Sequence, residues 1–222
     1  MCGRVVINIE YHELTAYLNE EYNIAQFDVK TPLPRYNVTP GEGLISLIYD
    51  GKKTRAGILK WGYQTSPESK PLINVRNDSL LTKPMFQKAF MMRRCIILVS
   101  GFYEWKNQSK KRLPYYFYLD QQPIFALAGI WNLNHDVKEN STCAILTTDA
   151  NPVMQPIHHR MPIILSREEA KSWLETSFQN VDTLLPLLQS YHRHNLLSYP
   201  VNPEVNRPNF DTIECLTPYH QS

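Results

Sequence analysis

A mixed α+β domain is the fold this sequence predicts, and three observations carry the prediction. Between residues 95 and 147, four apolar segments follow one another with poor polar alternation. That is the pattern of strands buried on both faces, as in a barrel or a covered sheet. Segments with helical spacing flank this block on both sides. Finally, 222 residues with 43% hydrophobic content are enough chain to bury one substantial core, so a single domain over residues 1–222 is expected.

The elements follow from local pattern. Residues 10–21 place Leu14, Tyr17 and Leu18 at helical spacing. A proline-rich connection over 31–40 comes next, too short for a domain linker. Segments 44–49 and 54–61 flank Asp50-Gly51, which suits a tight turn, and read as a hairpin. Residues 79–92 form a helix that Pro84 delays or kinks. The four buried strand segments are 95–105, 114–119, 124–131 and 142–147. A helix over 166–175 opens with a Ser166/Glu169 capping box, and a second spans 181–191. Two short strands near Leu197 and Ile213 finish the chain, which shows no internal repeat and no low-complexity segment.

Composition narrows the class. No stretch approaches the roughly 18 apolar residues of a membrane span, and the amino terminus lacks the apolar run of a signal peptide. A cytoplasmic location and no membrane partner are expected. Cys2, Cys95, Cys143 and Cys215 are far apart, with neither CxxC spacing nor a disulfide framework. Cys95 and Cys143, inside strand segments, read as small core residues. No metal or other cofactor is expected. Net charge is only +2 but uneven: residues 30–112 carry 16 Lys or Arg against 5 Asp or Glu, whereas 113–222 carry 6 against 11. Aromatic residues lie among the positive charges, in Arg35-Tyr36, Lys60-Trp61 and Trp105-Lys106. A nucleic acid held by backbone contacts and base stacking fits this pattern, and so does a merely solvated basic face.

The chain opens Met1-Cys2-Gly3-Arg4. Once Met1 is removed, Cys2 carries a free α-amine and a thiol two carbons apart. Their ordinary pKa values, about 7.7–8.0 and about 8.5, leave both close to reactive at neutral pH. Such a pair captures an aldehyde twice, first as an imine and then as a thiazolidine. Gly3 lets the new terminus bend.

Four further strings carry chemistry: Arg35-Tyr36-Asn37-Val38-Thr39-Pro40, Asn74-Val75-Arg76, Gly101-Phe102-Tyr103-Glu104-Trp105 and Ile157-His158-His159-Arg160-Met161-Pro162. Each has a bland explanation. Asn37 can satisfy backbone groups near a turn, Glu104 can be an exposed strand carboxylate, and the histidine pair can be a surface loop. The combination points further. A carboxylate between Tyr103 and Trp105, at the end of the apolar run 95–99, is expected to be desolvated and raised in pKa, as a proton shuttle requires. A histidine in a proline-bounded loop exchanges protons near neutrality.

With the amino-terminal Cys2-Gly3-Arg4, these strings resemble, in order and spacing, the SRAP family of abasic-site processing proteins, over nearly the whole chain. The resemblance implies a small, strongly bent, mixed β-barrel or sheet surrounded by helices. It also implies that the protein crosslinks itself to abasic sites in single-stranded DNA. The Cys2 amine would attack C1′ of the ring-opened sugar, and the sulfur would then close a thiazolidine. Matched by motif position, the catalytic residues are Cys2, Asn74, Glu104 and His158. Glu104 would manage protons at the Cys2 amine, Asn74 would orient the terminus and the sugar, and His158 would move protons at the sugar, with His159 outside that path. A weak lyase activity and removal of the protein's own Met1 are implied as well. Arg4, Arg76 and Arg160 are expected at flanking phosphates, and Asn37, Pro40, Trp105 and Thr147 along the DNA channel. The implied protein is a monomer, cytoplasmic and associated with the nucleoid when on DNA.

The chain departs from the family pattern at several positions. His159 stands where Asp is usual, Val75 replaces Ala, and Asp78 replaces Glu. Residues 64–70 lack the Pro and Trp often found there, and Pro84 replaces a basic residue of some members, beside Lys83. Two other classes compete: a peptidase or amidohydrolase with an amino-terminal Cys nucleophile, and a noncatalytic reader of single-stranded DNA.

Overall fold

The computed structural model describes residues 2–27, 32–66, 68–108, 111–133, 141–176 and 182–220. In chain order its elements are β1 (Val5–Ile7), α1 (Tyr11–Tyr22), β2 (Arg35–Val38), β3 (Gly43–Tyr49), β4 (Thr54–Trp61), β5 (Asn74–Arg76), α2 (Asn77–Thr82), α3 (Pro84–Met92), β6 (Arg94–Val99) and β7 (Gly101–Gln108). There follow β8 (Lys111–Leu119), β9 (Phe125–Leu133), β10 (Ser141–Asp149), β11 (Arg160–Pro162), β12 (Ile164–Leu165), α4 (Arg167–Glu175) and β13 (Leu196–Pro200).

Five strands close on themselves. β10 runs parallel to β4, β4 pairs antiparallel with β3, β3 with β6, β6 with β9, and β9 returns to β10. The closed ring leaves these strands no open edge, and β6, β9 and β10 alternate weakly because they are buried on both faces, whereas the fourth apolar segment, 114–119, lies in β8 outside the ring. Every residue of β6 is buried. α3 and α4 cover β6 and β9 from outside, and the Trp173 indole of α4 donates to the Cys95 carbonyl at 2.9 Å. Gly129, at the crossing of β6, β9 and β10, is a glycine for steric reasons: a Cβ there would lie 2.4 Å from the Ile97 side chain and 3.0 Å from the Ala144 carbonyl.

A second sheet, ordered β13-β8-β7-β1-β2, packs beside the barrel. The expected strand over 95–105 is in fact two strands, β6 in the barrel and β7 in this sheet. Ser100 makes the break, donating its amide to the Val6 carbonyl at 2.7 Å while its hydroxyl accepts from the Asn8 amide at 2.9 Å. Gly101 then passes under the Tyr116 ring, where a Cβ would sit 2.3 Å from the ring carbons.

Other expectations are corrected in the same way. The proline-rich connection contains β2, an edge strand, where flanking Pro34 and Pro40 interrupt no ladder. The helix over 79–92 is two helices. Lys83 before Pro84 is held extended (φ −97°, ψ 119°), and Pro84 starts α3 as its first residue. The helix expected over 181–191 begins on a residue outside the described ones. What forms is a 3₁₀ turn over Leu185–Leu188, where Pro186 has no amide to give an α-helix. The segment near Ile213 is a 3₁₀ turn, Ile213–Leu216, closed by the Cys215 amide on the Thr212 carbonyl. No helix among the described residues is long and apolar enough to cross a membrane.

Candidate active site

The site forms where the second sheet meets the strand that rides on β10. β1 pairs with β7 with Val5 opposite Phe102, and the Tyr103 amide donates to the Arg4 carbonyl at 3.0 Å. The residues before β1 therefore run toward Glu104. From the other side β5 lies parallel to β10 with Asn74 opposite Ile145, and the Asn74 amide donates to the Cys2 carbonyl at 2.8 Å. Residues 72 apart in sequence are thereby tied at the amino terminus.

Cys2 is fully enclosed and Glu104 is 2% exposed. Burial raises the Glu104 carboxyl above its ordinary value, against the opposing pull of the positive amino terminus and the Trp105 amide. Burial also pushes the Cys2 thiol far up, and the negative charge of Glu104 adds to that effect. The thiol, expected to ionise almost as readily as the amine, is held further from ionisation in this pocket.

His158 arrives on a pre-shaped loop. The Asn151 side chain accepts from the Met154 amide at 2.9 Å and donates to the Tyr191 carbonyl at 2.7 Å, and the His158 amide closes on the Met154 carbonyl at 3.0 Å. Burial, followed by the positive amino terminus, holds the imidazole below its ordinary pKa. The charge of the amino terminus acts on Cys2, Glu104 and His158, while Asn74 holds the Cys2 carbonyl.

The expected DNA-contacting residues divide into two groups. Arg76 and Pro40 are exposed and Trp105 is half-buried, so all three can meet a ligand. Arg76 forms a surface ion pair with Asp78 at 2.5 Å. The remainder are enclosed. Asn37 is completely buried and its side-chain amide donates to the Val205, Arg207 and Phe210 carbonyls. Thr147 is completely buried, 3.5 Å from the Val75 carbonyl. Arg160 is 3% exposed and binds Asp149 at 2.6 Å, Asn77 at 3.0 Å and the Thr147 carbonyl at 2.5 Å. Asn37 and Thr147 are therefore enclosed among neighbouring segments, and Arg160 joins β10, β11 and α2. Arg4 is intermediate: its guanidinium donates to the Asn37 side chain at 2.6 Å and to the Val205 and Asn206 carbonyls at 2.7 and 3.3 Å, with the Glu42 carboxylate acting on its charge.

Sequence reasoning missed the segment that braces all this. Asp211 ion-pairs with Arg35 and accepts from the Tyr36 and Asn37 amides at 2.6 and 2.8 Å. Asn206 accepts from the Trp105 indole at 2.7 Å. These partners lie 101 to 176 residues apart, and no local pattern marks them.

The family model described as SOS response associated peptidase (SRAP) matches residues 1–208. The abasic site processing protein YoqW of Bacillus subtilis is 35% identical, over 97% of this chain and 99% of that protein. The abasic site processing protein YedK of Escherichia coli is 31% identical, over 78% of this chain and 79% of that one. A protein of Bacteroides thetaiotaomicron, solved by X-ray crystallography, superposes with a TM-score of 0.77 at 25% identity, covering 91% of this chain and 93% of its own. With its motifs gathered at one amino-terminal pocket, and with a family match over almost its whole length, the chain belongs to the SRAP family.

Proposed function

We propose that this protein processes abasic sites by crosslinking itself to them: Cys2, freed of Met1, captures the ring-opened deoxyribose in single-stranded DNA as a thiazolidine. The observation that carries the reading is the grip of Asn74 on the Cys2 carbonyl within a pocket whose acid, Glu104, is buried and raised in pKa. The names of the relatives agree with it.

The steps balance without an external oxidant. The Cys2 nitrogen adds to the C1′ aldehyde, water leaves, and an imine remains. The neutral thiol then adds across C=N, sulfur bonding to C1′ while its proton ends on nitrogen. Because the thiol is not ionised, that proton needs a carrier, and Glu104, with its raised pKa, accepts and returns it. His158 moves protons at the sugar. If C2′ loses a proton before the sulfur closes, the C3′–O bond breaks instead, which accounts for a weak lyase activity. Arg76 and Arg4 draw the backbone, and Trp105 offers a stacking face. The protein acts as a monomer in the cytoplasm.

The enclosed, neutral thiol argues against a general cysteine peptidase, which needs a thiolate at neutral pH. Hydrolysis of the chain's own Met1 bond is a separate, single event. A denaturing gel with an abasic single-stranded oligonucleotide tests the reading. Wild type should give a heat-stable, slower band, and protein retaining Met1 should not, since its Cys2 nitrogen is an amide. A wild-type lane without the band refutes crosslinking, and equal binding of intact and abasic strands would indicate a noncatalytic reader.

A further inference from the structure

His158 and His159 lie face to face, with ring centroids 4.5 Å and planes 21° apart. His158 is half-buried and His159 exposed. The His158 Nδ1 lies 3.0 Å from the Arg160 amide nitrogen and 3.1 Å from the Arg160 carbonyl oxygen. One backbone residue thus offers the same ring nitrogen a donor when the ring is neutral and an acceptor when it is charged. The imidazole can change charge without turning. The His159 ring is stacked upon its face.

We propose that His159 is a positioning residue for His158: its ring, stacked on the His158 imidazole, keeps that imidazole seated on Arg160. The charges facing His158 are the chain's amino terminus, the Arg160 guanidinium of β11 and His159 in its own loop. All are cationic when protonated. The carboxylate of Asp149, on β10, is ion-paired with Arg160. A carboxylate in place of His159 would put a negative charge against the His158 ring, and His158 would hold its proton to higher pH.

Two measurements on the full chain decide the matter. In an NMR pH titration, with the His158 ring assigned through a His158→Gln variant, His159→Asp should raise the His158 midpoint by about one unit. A midpoint that stays put or falls overturns the proposal. In crosslinking of an abasic oligonucleotide, the acid limb of the rate profile should move upward by the same amount in His159→Asp. His159→Phe, which keeps a stacked ring, should retain the wild-type rate at about pH 8, where His158 is already neutral. A midpoint that moves while the acid limb stays fixed overturns the positioning role, as does a His159→Phe variant as slow as His159→Asp. This use of the pair rests on the abasic-site reading. If wild type forms no crosslink, that reading falls, while the NMR midpoint still judges the coupling.

Discussion

Glu104 shows at the scale of one residue how a reactive site works against the stability of its own fold. A buried carboxyl whose pKa is raised binds its proton more tightly in the folded than in the unfolded chain. Stability therefore falls as pH rises from the unfolded value through the raised folded one, and the loss persists at neutral pH. Glu104→Gln should remove that loss while keeping the pocket's shape. Its melting temperature should exceed wild type at pH 7, with the advantage vanishing in acid, while single-turnover crosslinking slows by about 10²- to 10⁴-fold. A variant that is both unstable and fully active would contradict the role. Cys2→Ala separates the two bonds: it should give an imine trappable by borohydride and no heat-stable product, because the amine survives and the sulfur does not. A heat-stable crosslink at wild-type yield from Cys2→Ala would rule out ring closure by sulfur.

At the scale of elements, the barrel's closure depends on absent side chains as much as on present ones. Gly129→Ala places a methyl against the Ile97 side chain and the Ala144 carbonyl, and the latter belongs to a neighbouring strand that cannot retreat without opening the ring. Denaturant unfolding should show a loss of about 1–3 kcal/mol, the usual range for overpacking. A helix terminus gives a smaller, local effect. Ser166 caps α4, its hydroxyl accepting from the Glu169 amide at 3.3 Å while Glu169 accepts from the Ser166 amide at 2.6 Å. Ser166→Ala should destabilise by about 1 kcal/mol with crosslinking unchanged, since α4 covers the barrel away from the pocket. The capping box was legible in sequence because its partners are three residues apart. The split of 79–92 at Pro84 was half legible: the proline announced an interruption, but only the extended Lys83 made it two helices. The break at Ser100 left no local sign, because it depends on Val6, Asn8 and Tyr116, all remote in sequence.

For the whole molecule, the basic half of the chain is tested by salt. Arg76→Ala should lower the slope of log affinity for single-stranded DNA against log salt by about 0.7, one phosphate's share, with an unchanged melting temperature, because its pair with Asp78 lies on the surface. An unaltered slope in a salt titration would make the basic face merely solvated. Counting charges along the chain could suggest an anionic partner but could not sort the arginines. Arg76 faces solvent, Arg4 is held by neutral acceptors, and Arg160 is enclosed as a brace. The reactive residues Cys2, Asn74, Glu104 and His158 could be named from short motifs, since their chemistry resides in residue type and immediate neighbours. Helix spacing, the Asp50-Gly51 hairpin and the mixed class were legible for the same reason, being interactions over a few residues. Closure of the five-strand ring, the bracing of Asn37 by the segment beyond Pro203, and the upward shift of the Cys2 thiol were decided by the tertiary structure alone. Each depends on which distant segments exclude water from a given group, and burial of that kind belongs to the packed chain rather than to any stretch of it.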